Sequence, residues 1–192
     1  MNAWGRTDAT SIILKEHQQL TAATGGMLQF VRREKNDAMP GFVVFRSLLY
    51  YIREYPERIH HPKEEQYLFT RIRARTDEID NVLDDLALQH AESEAKIEDL
   101  EHALTRYELG EDTALQDLRV LVECYASFCA NHRRIEEEIV LPVALRVLTA
   151  EDWTEIDAAF GANRDPFEGI PLEEDLDKLF HMILNIIPQV GP

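Results

Sequence analysis

The chain has few cysteines and no long apolar run. Its 192 residues include only Cys124 and Cys129, and a spacing of five along a helix turns the two side chains apart, so we expect no disulfide between them. No segment approaches the ~20 apolar residues that a membrane-spanning helix needs. The N-terminal MNAWGRTDAT lacks the apolar stretch of a signal peptide. We therefore expect a cytoplasmic protein without membrane contact.

Positive charge is also scarce. The chain has 20 Lys and Arg residues against 36 Asp and Glu residues, which gives a formal net charge of −16. This excess repels nucleic-acid phosphates and anionic lipid surfaces at long range, so neither is an expected partner. A hydrophobic fraction of 45% indicates a globular protein rather than an acidic tail, and the length suits one domain with a substantial core. Gly-rich phosphate loops, CxxC pairs and GxSxG elbows do not occur.

Helical periodicity dominates the sequence. Glycine and proline cluster at a few places, and the stretches between them carry apolar residues three to four positions apart. This spacing predicts four long amphipathic helices, with breaks at Asn36–Gly41, around Thr76–Asp77 and at Gly110–Thr113. Because short connections make consecutive helices antiparallel neighbours, we expect an all-α fold, an up-down-up-down four-helix bundle over residues 10–147.

A helical extension is predicted after the bundle, over residues 148–192. Thr149 and Asp152 have the spacing of a helix-capping pair in front of an apolar segment. A last amphipathic helix follows the turn-rich GANRDPFEGIP and carries Leu172, Leu176, Leu179, Phe180, Ile183 and Ile187. We expect the extension to pack on the bundle or to form a homodimer through this C-terminal helix.

Polar residues interrupt the apolar face of each predicted bundle helix. His17 lies on the apolar face of the first helix and His90 on that of the third. In the fourth helix, His132 and Glu136 occupy the apolar face together. Buried glutamates are rare because an unpaired interior charge is costly, so these positions indicate a partner in the core.

The segment HHPKEEQYLF of the second predicted helix offers two pairs of residues with the spacing of neighbours on one helix face. The pairs are His60 with Glu64, or His61 with Glu65. Apolar residues follow the second pair on the same face, whereas the first pair leads to Arg71. We therefore predict that His61 and Glu65 face the core and that His60 is partly exposed, with the other pair as the open alternative.

The loop positions predict that these histidines lie at one height. Residues on antiparallel neighbours lie level when they are equidistant from the connecting loop. The midpoints of successive histidine pairs, from His17 through His61 and His90 to His132, are residue 39, the junction of residues 75 and 76, and residue 111. All three midpoints fall in predicted breaks. We therefore expect the four histidines in one cross-section, with the two glutamates one helical turn along.

A metal site would explain imidazoles and carboxylates in the interior. Four imidazoles and two carboxylates exceed what a tetrahedral zinc site takes, and Mg²⁺ and Ca²⁺ prefer oxygen ligands alone. A carboxylate can bridge two ions, and mixed nitrogen and oxygen donors suit iron or manganese. Histidine-rich ligation favours iron held for reversible chemistry, so we expect two non-haem iron ions with an oxo or hydroxo bridge.

The same residues resemble a known family. The order of His17, HHPKEEQYLF, His90 in LALQHAESE and then HRRIEEEIVLP is similar to that of the hemerythrin-like (HHE cation-binding) domain family over roughly residues 10–147. The resemblance implies a four-helix bundle around a non-haem di-iron centre. Its implied metal ligands are His17, His61, Glu65, His90, His132 and Glu136.

Two positions depart from the pattern of the oxygen-carrying hemerythrins. Those proteins have a second histidine four residues after the third-helix ligand, where this chain has Glu94. They also have an aspartate five residues after the fourth-helix histidine, where this chain has Glu137 and offers Glu136 instead. Glu94 and Glu137 therefore stay open as further ligands, and a solvated position at the bundle edge is the alternative for Glu94.

These observations predict a protein that binds oxygen, nitric oxide, peroxide or a related small ligand, as a carrier, store or sensor. The alternatives are a di-iron enzyme or stress protein acting on peroxide or nitric oxide, a donor of iron for cluster repair, and a bundle that metal merely stabilises. We expect binding rather than catalysis. Of the remaining candidates, His102 is predicted at the surface, His181 in a structural position and Cys129 as a buried, unreactive thiol.

Overall fold

The computed structural model describes residues 8–32, 42–111 and 113–163, and every regular element within them is a helix. These helices are α1 (Asp8–Arg32), α2 (residues 42–75), α3 (Asp80–Glu108), α4 (residues 114–147) and α5 (Ala150–Gly161). α1 and α3 each contact both α2 and α4, so the first four helices form a closed bundle. The predicted all-α class is confirmed. None of the described helices is both long and apolar enough to span a membrane.

The breaks between helices coincide with the predicted ones where the structure describes them. α2 ends at Arg75 and α3 begins at Asp80, on either side of the second predicted break. α3 ends at Glu108, and Gly110 just beyond it has φ +79°, a left-handed conformation that ends helices and that glycine adopts without strain. The first predicted break, Asn36–Gly41, lies outside the described residues.

Both α2 and α4 contain π-helical stretches, in which each hydrogen bond spans five residues rather than four. In α2 these stretches are Arg53–His60 and Glu64–Phe69, and in α4 the stretch is Glu136–Val140. Pro56 lies within the first of them and, because it lacks an N–H, cannot donate an α-helical hydrogen bond. A wider turn holds an extra residue, so the face that α2 presents to the core shifts relative to the period of about 3.6 residues.

The core consists of two apolar clusters with a polar layer between them. Members of the first cluster include Leu20, Phe30, Phe45, Tyr55, Ile97 and Val122. Members of the second include Ile13, Leu68, Leu86, Val140, Trp153 and Phe160. In α1, His17 lies between Ile13 of the second cluster and Leu20 of the first, and the other three bundle helices change cluster in the same way. Apolar packing on both sides therefore sets the height of the polar layer.

α5 packs on the bundle and belongs to the second cluster. Thr149 and Asp152 form the predicted capping box at its start: the Thr149 hydroxyl accepts from the N–H of Asp152, and the Asp152 carboxylate accepts from the N–H of Thr149 at 2.9 Å. The Arg75 guanidinium at the end of α2 also donates to Asp152 (2.8 Å) and lowers the pKa of that carboxyl. The predicted last amphipathic helix lies outside the described residues.

Replacing Ile156 by alanine should lower the free energy of unfolding by about 2–5 kcal/mol, because this fully buried side chain would leave a cavity in the second cluster. Thr154→Ala, on the exposed side of α5, is the matched control and should change it by at most about 0.5 kcal/mol. Urea unfolding in the presence of a chelator, followed by circular dichroism, measures both values. Equal values would show that α5 does not pack on the bundle.

Candidate metal centre

Seven polar side chains fill the layer between the two apolar clusters. They are His17 from α1, His60, His61 and Glu64 from α2, His90 from α3, and His132 and Glu136 from α4. Each is at most 7% exposed. The four histidines that were predicted to share a cross-section lie together in this layer, with His60 and two buried carboxylates among them.

Six of the seven side chains form two halves that share Glu64. In the first half, potential ligand atoms lie within 4.8 Å of one another on His17, His60 and Glu64. In the second half, atoms at the same mutual distances belong to His61, Glu64, His90 and His132. Each half therefore has the spacing of side chains that can surround one metal ion.

Both buried carboxylates reach toward both halves. Oε1 of Glu64 lies 3.4 Å from Nε2 of His60, and its Oε2 lies 3.7 Å from Nε2 of His90. Oε2 of Glu136 lies 3.2 Å from Nε2 of His17, and its Oε1 lies 3.2 Å from the nearest imidazole nitrogen of the second half. Each carboxylate thus presents one oxygen to each half, which is the arrangement that bridges two ions.

These atoms lack the hydrogen bonds that buried polar groups normally have. Both oxygens of Glu64, both oxygens of Glu136 and Nε2 of His17 are buried without a hydrogen-bond partner among the described residues, since the 3.2 Å contacts lack hydrogen-bond alignment. In the second half, the Nε2 atoms of His90 and His132 lie only 3.1 Å apart. Electron-pair donors that converge in the interior are stabilised by cations. Five imidazoles and two carboxylates in this arrangement fit a pair of metal ions.

An outer set of acceptors orients the imidazoles. Four histidines have Nδ1 within hydrogen-bond distance of a side-chain oxygen: His17 with Glu137 (3.0 Å), His60 with Glu16 (2.6 Å), His90 with Glu65 (2.7 Å) and His132 with Gln89 (3.0 Å). Nδ1 of the fifth, His61, lies 3.4 Å from Oε2 of Glu57. An acceptor at Nδ1 favours the tautomer whose Nε2 keeps its free electron pair, as a metal-bound histidine requires.

The structure corrects the sequence prediction for the inward face of α2. Glu65 does not face the core, because its side chain is 45% exposed and accepts from Nδ1 of His90, whereas the Glu64 side chain is 1% exposed. His60, predicted as partly exposed, is buried and belongs to the first half. The prediction assumed α-helical spacing through HHPKEEQYLF. The π-helical stretches on either side of residues 61–63 shift that register.

The adjacent residues His60 and His61 of α2 place one imidazole in each half. Glu94, at the position where the oxygen-carrying hemerythrins have a second histidine, is exposed. His60 belongs to the first half, whereas the ring of His61 lies in the second half and stacks on that of His90 with centroids 4.1 Å apart. The prolines at positions 56 and 62 are the sequence signal that could have indicated the change of helical geometry.

The other sequence candidates lie outside the layer or outside the described residues. Glu137 contacts Nδ1 of His17, on the opposite side of the ring from the nitrogen that faces the centre. His102 is exposed, as predicted. Burial raises the pKa of the Cys129 thiol to about 12, so the thiol stays protonated and unreactive at neutral pH. His181 lies beyond the last described residue.

Burial and mutual contact change the charges of the layer. Burial, together with the nearby charge of Glu136, raises the pKa of Glu64 well above its usual value. Burial acts in the same direction on Glu136, but the surrounding imidazoles, His132 first, hold the pKa of Glu136 well below its usual value. Burial lowers the pKa of His17, but Glu136 and Glu137 outweigh it and raise that pKa to about 9. Without metal, these contacts therefore favour the protonated form of Glu64 and the ionised form of Glu136, and His17 is positively charged at neutral pH.

A cleft between α2 and α3 adjoins the second half of the centre. Its volume is about 370 Å³, and its lining includes the exposed Glu65 and Glu94 as well as the buried His61 and His90. Ions and small molecules can therefore approach the second half from solvent along this cleft.

Comparison with known families agrees with this geometry. The family described as "Hemerythrin HHE cation binding domain" matches residues 8–144, a segment that contains all seven side chains of the layer and ends before α5. No curated protein and no solved structure matches the chain. The chain belongs to the hemerythrin HHE cation-binding domain family.

Proposed function

We propose that the layer binds two iron ions and that the loaded protein binds oxygen, nitric oxide, peroxide or a related small ligand. The observation that supports this most strongly is the sharing of Glu64 and Glu136 between two sets of imidazoles. Bridging carboxylates within an imidazole-rich donor set suit a pair of iron ions with an oxo or hydroxo bridge. When bound, such ions supply the electrons that hold a small oxidising ligand.

The number of donors favours a ligand position in the first half. There, His17 and His60 offer two nitrogens, and Glu64 and Glu136 add one oxygen each. The second half has three imidazole nitrogens and the same two carboxylates. The first half would therefore hold its ion with four donor atoms of the protein and the second half with five, which leaves more room for a small ligand in the first half.

The surroundings of the first half favour binding over catalysis. The Tyr55 hydroxyl donates to Oε1 of Glu16 at 2.5 Å, and Nδ1 of His60 donates to Oε2 at 2.6 Å. Glu16 therefore accepts both the hydroxyl proton of Tyr55 and the Nδ1 proton of His60, and it lies on the side of the His60 ring that faces away from the centre. Reactions that reduce oxygen or peroxide consume protons from well-placed donors, so this arrangement supports reversible binding.

Iron content and visible absorption test this function. Anaerobic loading with Fe²⁺ should give two irons per chain, and oxygen should then produce a ligand-to-iron absorption band that fades under vacuum. Two irons without any such band would rule out oxygen as the ligand. Repeated consumption of peroxide or nitric oxide without loss of iron would instead favour an enzyme.

His17→Ala should reduce the iron content to about one per chain and abolish the oxygen band, because it removes one of the two imidazoles of the first half and leaves the second half intact. His102→Ala, exposed on α3, is the matched control and should keep both irons and the band. Iron analysis after gel filtration and the difference spectrum measure the two effects. Loss of both irons in His17→Ala would show that the two halves fill together.

A further inference from the structure

The end of α5 reaches the metal layer from outside the segment that matches the family. Asn163, just beyond the last turn of α5, is buried, and its amide lies between two charged groups. Its Nδ2 donates to Oε1 of Glu16 at 2.8 Å, and its Oδ1 accepts from the ammonium of Lys63. Lys63 also donates to the carbonyl oxygen of Ala159 in α5, at 2.7 Å. This network connects α5 to both α1 and α2.

Glu16 links Asn163 to an imidazole of the first half. Its Oε1 accepts from Asn163 and from the Tyr55 hydroxyl, and its Oε2 accepts from Nδ1 of His60. With one oxygen held by two donors, the carboxylate is fixed with its other oxygen toward His60. The ring of Phe160, also from α5, meets the His60 ring edge to face at 6.4 Å between centroids.

We propose that Asn163 is a positioning residue of the metal centre: through Glu16 it sets the orientation and tautomer of His60, and it thereby controls metal binding in the first half. α5 is then part of the centre as well as part of the apolar core. The consequence for metal binding rests on the proposed function. The orientation of His60 in the metal-free protein does not depend on it.

The chemistry of the amide explains why asparagine suits this position. An amide offers a donor to the Glu16 carboxylate and an acceptor to the Lys63 ammonium at the same time. An aspartate of the same shape would keep the contact with Lys63 but would place two carboxylates against each other. The repulsion would turn Glu16 away from His60 while leaving the apolar packing of α5 unchanged.

Asn163→Asp tests the effect on metal binding. In titrations of the metal-free protein with Co²⁺, it should weaken the first half by about 10–100-fold and the second half by less than about threefold. Asn81→Asp adds the same charge at an exposed position about 13 Å along α3 from His90, and should leave both affinities unchanged. Equal weakening of the two halves by Asn163→Asp, or none at all, would overturn the proposal.

Nitrogen-15 NMR of the histidine side chains gives a readout that requires no metal. In the metal-free protein, His60, assigned with a His60→Gln variant, should show the tautomer protonated at Nδ1, and Asn163→Asp should shift it toward a mixture. An unchanged His60 signal would contradict the positioning role even if the protein binds no iron. A changed signal in a protein that binds no metal would overturn the proposed function and retain the role of Asn163.

A double-mutant cycle tests whether Asn163 acts through Glu16. A Glu16→Gln background lacks the carboxylate that a negative charge at position 163 would repel, so Asn163→Asp should cause less than about a threefold further loss in the first half. Independent, multiplying losses would show that Asn163 does not act through Glu16. If Asn163→Asp fails to fold, Asn163→Ala removes the donor without adding charge, and it should change the His60 signal in the same direction.

Discussion

Glu64→Gln is expected to weaken the binding of both metal ions by more than about 100-fold, whereas Glu65→Gln should leave two ions per chain. Glu64 presents one oxygen to each half, and an amide at this position has no negative charge to neutralise either ion. Glu65 is 45% exposed, and its contact with the described residues of the centre is with Nδ1 of His90. Titration of the metal-free protein with Co²⁺, followed by visible absorption, measures both affinities.

The two variants are matched in their expected folding. Burial favours the protonated form of Glu64 in the metal-free protein, so a neutral glutamine of similar shape should change the free energy of unfolding by less than about 1 kcal/mol. Glu65→Gln keeps an oxygen that accepts from His90, and about a tenfold loss of affinity in the second half is the largest effect expected. The reverse outcome, with two ions in Glu64→Gln and none in Glu65→Gln, would show that α2 has the α-helical register predicted from sequence.

The helices and the height of the polar layer are predictable because both depend on spacing along the chain. Apolar residues three to four apart define α1 and α3, and Gly110 marks the end of α3. The separation of each histidine from the nearest breaks then places His17 and His90 at the junction of the two apolar clusters. Neither step requires knowledge of which side chains meet across the bundle.

The inward face of α2 does not follow from the same rule. A change of one residue in helical register exchanges Glu65 for Glu64 and brings His60 inside. Whether a turn is α- or π-helical depends on how α2 packs against its neighbours and on the missing N–H of Pro56, and apolar spacing records neither. The sequence therefore limits the core-facing polar residues of α2 to the segment HHPKEE, and tertiary packing determines which of them face the core.

The acceptors around the imidazoles depend on contacts between helices. Glu16 of α1 accepts from His60 of α2, and Gln89 of α3 contacts Nδ1 of His132 in α4. Such pairs have no characteristic spacing in the chain. Each acceptor lies next to a ligand candidate in the sequence, and nothing there distinguishes it from an ordinary polar residue. Asn163 is even harder to predict from the sequence, because it lies outside both the predicted bundle and the segment that matches the family.

Metal affinity is expected to rise with pH. The pKa of about 9 for His17 means that the metal-free protein holds a proton on this imidazole at neutral pH, and a metal ion must displace it. The displaced proton makes the affinity about tenfold higher per pH unit below the pKa, and the raised pKa of Glu64 acts in the same direction. Co²⁺ titrations between pH 6.5 and 9, with an indicator dye to count released protons, measure the dependence.

The stability of the metal-free protein should change in the opposite direction. The pKa of His17 is higher in the folded protein than in the unfolded chain, so its contribution is complete below about pH 6.5 and is lost as the pH rises through about 9. The loss amounts to about 3 kcal/mol for this buried group. Urea unfolding with a chelator over the same pH range measures it, and stability that is constant across this range would contradict the raised pKa.

Glu137→Gln distinguishes the effects of Glu136 and Glu137, the two carboxylates that raise the pKa of His17. Glu137 contacts Nδ1 at 3.0 Å, so removing its charge should lower the pKa of His17 and move the upper end of the pH dependence to lower pH. Glu138→Gln, on an exposed residue that pairs with Arg134, removes the same charge one position along and should leave the dependence unchanged. If Glu137→Gln also leaves it unchanged, Glu136 alone sets the charge of His17. The proton released on metal binding is then the one that His17 holds through its contact with Glu136, a carboxylate that both halves share.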